Sequence, residues 1–151
     1  MDLGIYCLQA ACYTTGMEPI AVTARSSPVS DPEKFIDIEE TLDFQLEMPN
    51  GLVAACKTSY TDALNYLKAD AAKGSFELEP AFNYLGLKGK TTDGIIAYPK
   101  LSQQARQMDA FALAIKNDQP STVPGEMGRR DMKIIRAIYE AMQTGKKVKV
   151  K

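Results

Sequence analysis

Residues 36–48, IDIEETLDFQLEM, restrict the fold more than any other stretch of this chain. Ile36, Ile38, Leu42, Phe44, Leu46 and Met48 share one parity, and Asp37, Glu39, Thr41, Asp43, Gln45 and Glu47 share the other. Only Glu40 interrupts the apolar series. A period of two over this length predicts one long strand with one covered face and one polar face. The Pro-Asn-Gly at 49–51 reads as a hairpin turn, with Asn50-Gly51 suited to positive φ angles. The segment LVAACKTSY then returns as the partner strand.

Around this hairpin the pattern predicts further elements. Residues 2–15 read as a helix stopped at Gly16, and EPIAVTAR reads as a half-buried strand. YLKADAA and SFELEP form two more strands, with LKGKTT and GIIAYP as shorter candidates. The chain then changes character. Ala105, Met108, Ala112 and Ile115, with Phe111 beside them, are spaced for an amphipathic helix. Met132 to Met142 form a second, with Ile135, Ile138 and Met142 as its apolar stripe and Gly145 as its stop; KVKV closes the chain as a last strand. Hairpins followed by grouped helices indicate an α+β fold: an open, largely antiparallel (mixed) sheet of about six strands with helices on one face. On the other face Ala55, Lys57 and Ser59 permit a flat contact with another chain, and a solvated face fits them equally.

Composition removes several function classes. A chain of 151 residues is the size of one domain with a real core. Its net charge of −1 gives no electrostatic footprint for nucleic acid, and the terminal GKKVKVK reads as a solvated tail. No apolar run approaches the roughly 20 residues needed to span a bilayer. The start lacks the basic-then-apolar order of a signal peptide. There is no histidine, which removes Ser-His and Cys-His mechanisms and His-based zinc sites from this chain. Cys7, Cys12 and Cys56 lack paired spacing and read as buried free thiols, and no metal site is expected. Proton transfer here would need carboxylates, Lys, Tyr or Cys.

The first helix, MDLGIYCLQAACYTTG, lacks a Ser, Thr or Asn cap and carries Asp2, Tyr6, Gln9 and Tyr13 along one stripe. Ile5, Leu8 and Cys12 occupy an apolar side. A phenol with a reference pKa near 10 works near neutrality only beside a positive group. From spacing alone, an acid/base pair and a solvated polar helix face look alike.

Three stretches carry a resemblance: MDLGIYCLQAACYTTGMEPIAVTA, SFELEPAFNYLGLKG and QMDAFALAIKNDQPSTVPGEMGRRDMKIIRAIYEAMQTGKKVKV. Together they resemble the C-terminal domain of the glucose-fructose oxidoreductase / inositol dehydrogenase (Gfo/Idh/MocA) family, nearest its glucose-fructose oxidoreductase branch. The resemblance implies that residues 1–151 are a substrate-binding and dimerisation domain. The N-terminal Rossmann domain that binds NAD or NADP is then absent from this chain, which starts inside the active-site helix. It implies hydride transfer between a sugar or polyol and the nicotinamide. Asp2 and Tyr6 match the family's Asp and, four residues on, its acid/base position, where this branch has Tyr in place of His. The implied roles are Tyr6 taking the hydroxyl proton and Asp2 positioning it, helped by a lysine from a Glu-Lys-Pro motif of the missing half. Tyr84 matches a pocket tyrosine; Lys68 and Tyr66 lie on one face of a neighbouring strand, which fits either a reach into the same cleft or, better, a solvated strand face. Cys12 departs from an arginine common in relatives. The expected partners are the Rossmann half, the sugar and a second copy through the open sheet face, with no nucleic acid or membrane. The expected compartment is the cytoplasm, with the periplasm as alternative. The competing reading is a non-catalytic oligomerisation or small-ligand-binding module of the same fold.

Overall fold

The strand forms where parity is unbroken. The computed structural model describes residues 2–84, 86–96 and 99–151. In it Leu42, Phe44, Leu46 and Met48 are at most 2% exposed. Three of them lie in β2 (Thr41–Glu47), which pairs antiparallel with β1 (Ala21–Ser26) on one side and β3 (Val53–Ser59) on the other. The strand β8 (Val148–Lys149) pairs with β1, giving the sheet order β3-β2-β1-β8. The turn falls at 49–51 as expected: Gly51 has φ 85°, and its amide donates to the Met48 carbonyl at 2.9 Å.

Register sorts the side chains by face. Phe44 lies between Ala24 and Cys56, and Leu46 between Val22 and Ala54. On the other face Gln45 lies between Thr23 and Ala55, and Asp43 between Arg25 and Lys57. The first face is covered by α1 (Gly4–Thr15) and α3 (Gly125–Thr144), whose Leu8, Ala11, Cys12, Ile134, Ala137, Ile138 and Ala141 complete the core. Helix α1 stops at Gly16, whose φ of 65° is the left-handed conformation that a C-terminal cap requires. These elements form one compact unit, residues 1–64 and 125–151.

The expected strand over 36–48 begins five residues later, at Thr41, and ends one residue earlier, at Glu47. Ile36 and Ile38 are exposed, and Phe35 is buried instead. The segment turns at Asp31, whose carbonyl accepts the amides of Lys34 and Phe35. Glu40, which breaks the apolar series, is itself buried. Its carboxylate accepts the Ser30 amide at 2.6 Å, the Ser30 hydroxyl at 2.7 Å and the Thr61 hydroxyl at 2.9 Å. A buried carboxylate met by three donors anchors the loop and fixes where the strand begins.

Residues 65–124 form a second compact unit. It holds β4 (Leu67–Ala71), β5 (Gly74–Leu78), β6 (Gly89–Thr91) and β7 (Gly94–Ile96) in sequential antiparallel order. Ala97 and Tyr98 of the expected strand GIIAYP lie outside the described residues. Helix α2 (Gln103–Lys116) is capped by Ser102, whose hydroxyl accepts the Ala105 amide at 3.2 Å. Its patterned side chains Met108, Phe111 and Ile115 are exposed. The α+β class stands, with the described strands divided between two four-stranded sheets. No helix among the described residues is long and apolar enough to cross a membrane.

Candidate functional site

The entrance of α1 is where the polar groups gather. Leu3 at the cap position offers no side-chain bond, and Asp2 sits in the turn just ahead of the helix. Asp2 Oδ1 accepts the Leu3 amide at 3.0 Å and the hydroxyl of Tyr60, which follows directly on β3. The Tyr60 ring lies 6.0 Å from that of Phe35. Beside this pair, Tyr139 of α3 donates its hydroxyl to both oxygens of Glu39, at 3.1 and 3.2 Å. Tyr6 lies on the first turn of α1 and is 44% exposed.

The electrostatics follow from these bonds. The Tyr60 hydroxyl, aided by the Leu3 amide, holds the Asp2 carboxyl below the usual carboxylate range. The same bond, with burial and the Asp2 charge, pushes Tyr60 up to about 12. Tyr139 is also pushed up to about 12, first by burial and then by the Glu39 charge. Both phenols are therefore protonated at neutral pH and act as donors.

The remaining stripe of α1 divides. Gln9 donates its side-chain amide to Asp131 Oδ2, while Arg130 binds Asp131 Oδ1 through Nε at 2.9 Å and Nη2 at 2.7 Å. This network ties α1 to α3. Tyr13, two turns beyond Tyr6, stands in solvent. Cys7, Cys12 and Cys56 are free thiols, each raised chiefly by burial; Cys12 is buried as expected, whereas Cys7 and Cys56 are half-buried.

Three predicted site residues belong to the second unit. The Lys68 ammonium sits 3.0 Å from Glu77 Oε1 and 5.5 Å from the centroid of the Tyr66 ring, so the structure brings these two predicted residues together. Glu77 also meets Lys90 at 3.4 Å. Tyr84 is exposed and follows a loop held by Asn65, whose Oδ1 accepts the amides of Ala81 and Phe82. Tyr60, Glu39 and Tyr139 carried no sequence signal as site residues. Their partners lie 58 and 100 residues away, and no local spacing encodes such a pair.

Among the described residues no group of His, Cys, Asp and Glu is placed to hold a metal. All described strand pairs are antiparallel, whereas a dinucleotide fold is built from parallel βαβ units. Among the described residues no parallel βαβ unit of that kind is formed.

The first unit is thus an α+β layer, one antiparallel sheet covered by two helices, with an acid-phenol cluster at the entrance of α1. Residues 1–90 match the family model described as the GFO/IDH/MocA C-terminal domain, and the chain belongs to that family. It is 29% identical over 157 residues to the D-xylose 1-dehydrogenase (NADP(+)) of Haloarcula marismortui, covering 99% of this chain and 43% of that protein. Its fold matches the aldose-aldose oxidoreductase of Caulobacter crescentus, solved with glycerol, at TM-score 0.91 and 34% identity, over 99% of this chain and 46% of that one. The scyllo-inositol dehydrogenase of Lactobacillus casei, solved with NAD(H) and scyllo-inositol, shares the fold at TM-score 0.72 and 20% identity, over 99% and 47% of the two chains. The chain spans about half the length of the relatives it matches.

Proposed function

We propose that this chain is the substrate-facing and dimerisation domain of an NAD(P)-dependent sugar or polyol oxidoreductase, with the nucleotide held by a separate Rossmann half. Membership of the GFO/IDH/MocA C-terminal family is the observation that carries this reading. The kinship with a xylose dehydrogenase and an aldose-aldose oxidoreductase supports sugars as the substrate class. Tyr6 holds and moves the proton of the reacting hydroxyl, and Asp2 orients that hydroxyl. Tyr84, Lys68 and Tyr66 contribute substrate contacts. A phenol with an ordinary pKa near 10 needs a neighbouring cation for this work, and a lysine of the nucleotide half supplies it.

The test is Tyr6→Phe in the protein carrying both halves. Loss of the hydroxyl should lower kcat by about 100-fold or more while leaving sugar binding within a few-fold. Unchanged turnover removes Tyr6 from the proton-transfer role.

A further inference from the structure

The Asp2 carboxylate is exposed and lies outside the helix. Its nearest support is the Leu3 amide at 3.0 Å, one residue away. Tyr60, by contrast, is held through its backbone and its neighbours, although the residue is 43% exposed. Its amide donates to the Glu40 carbonyl at 3.0 Å, and Glu40 is itself fixed by Ser30 and Thr61. The preceding Ser59 is buried and shares a 2.7 Å bond with Thr41 across the β2–β3 ladder. The following turn is closed by the amides of Thr61 and Asp62, which donate to the Ser59 hydroxyl at 3.2 and 3.0 Å. The ring packs beside Phe35.

We propose that Tyr60 is the positioning residue for Asp2: its hydroxyl, fixed by the end of β3, holds Asp2 Oδ1 in place and leaves Oδ2 to a substrate hydroxyl. The inference rests on the function proposed above and adds a residue to it. The Leu3 amide and the Tyr60 hydroxyl both fall on Oδ1, and the Asp2 amide adds a smaller pull on the carboxylate. An ionised carboxylate only accepts, so a phenol beside it must donate. The bond is charge-assisted and correspondingly strong. It also fixes the carboxylate plane, which a single amide does not. The other groups acting on this pair are the Glu39 carboxylate and the Tyr139 phenol, which influence Tyr60, and the α-amino group, which influences Asp2.

Two measurements on Tyr60→Phe test the assignment. Phenylalanine keeps the ring beside Phe35 and removes only the hydroxyl. In this chain, carbon-13 NMR titration of the Asp2 carboxyl should give a midpoint below the ordinary aspartate value. In the variant that midpoint should rise toward 3.8. Tyr139→Phe, which leaves the Asp2 bond intact, should move it less. An Asp2 midpoint identical in wild type and Tyr60→Phe overturns the proposal. In the protein with both halves, Tyr60→Phe should lower kcat about tenfold with KM for the sugar within about twofold. A rise in KM with kcat unchanged also overturns it, because Tyr60 would then be a simple binding contact. The two readings fail separately. If Tyr6→Phe is fully active, the proton-transfer role of Tyr6 falls whatever Asp2 does. If Tyr6→Phe is dead and the Asp2 midpoint is indifferent to Tyr60, the function holds and the positioning role falls.

Discussion

Removing the Asp131 carboxylate should loosen the helix that bears Asp2 and Tyr6 at its entrance. Asp131 is 2% exposed and is bound by Gln9 from α1 and by Arg130 from its own helix. Asp131→Ala strands the Gln9 amide and most of a guanidinium. Deleting one member of a buried ion pair costs about 3–5 kcal/mol. The Arg130 side chain is 20% exposed and has Glu18 at 3.6 Å as a second partner, so the lower end applies, about 3 kcal/mol. Asp131→Asn keeps an oxygen for Arg130 and should cost about 1 kcal/mol. Arg130→Ala leaves a carboxylate buried with Gln9 alone and should cost no less than Asp131→Ala. The double variant should cost less than the sum of the two, by about 0.5–3 kcal/mol. Urea unfolding followed by far-ultraviolet circular dichroism measures all four, with slopes compared to confirm that the same surface unfolds. A loss under about 1 kcal/mol for Asp131→Ala, or strict additivity of the two single variants, refutes the reasoning.

Two further outcomes follow from groups described above. The Ser30 hydroxyl and amide hold the Glu40 carboxyl below its ordinary 4.5, so its contribution to stability is fully present above that pH and is lost as pH falls through the depressed value. Urea midpoints of Glu40→Gln and wild type should therefore differ most above pH 4.5 and converge in acid; a gap that widens in acid contradicts this sign. The outer face of the first sheet, with Thr23, Gln45 and Ala55 in register, is the proposed self-association surface. Light scattering should show an oligomer that Ala55→Glu disperses, and a monomeric unsubstituted chain at high concentration removes that proposal.

Sequence and structure part company at identifiable residues. Parity named Leu42, Phe44, Leu46 and Met48 as core because a strand writes its burial into every second position. The same parity carried the strand back through Ile38 and Ile36, since periodicity does not register a turn fixed from Asp31 or a buried Glu40 bonded to Ser30 and Thr61. Local hairpins such as β2–β3 were legible. The β1–β8 pairing, which joins Val22 to Val148, was not, because its partners are far apart in the chain. Helix α2 shows the limit of amphipathy: spacing marked an apolar side at Met108, Phe111 and Ile115 and said nothing of what covers it. At the candidate site, resemblance singled out Asp2 and Tyr6, whereas Tyr60 and Tyr139 enter only through folding.

The register of β2 also bears on how this gene can change. The strand is flanked on both sides, and its even-numbered side chains all enter the core. Inserting one codon directly after Leu42 would rotate the rest of the strand by half a turn, driving Gln45 and Glu47 inward and Phe44 and Leu46 outward. Inserting two would restore the facing. Viable length variants at this point should therefore arise in even steps.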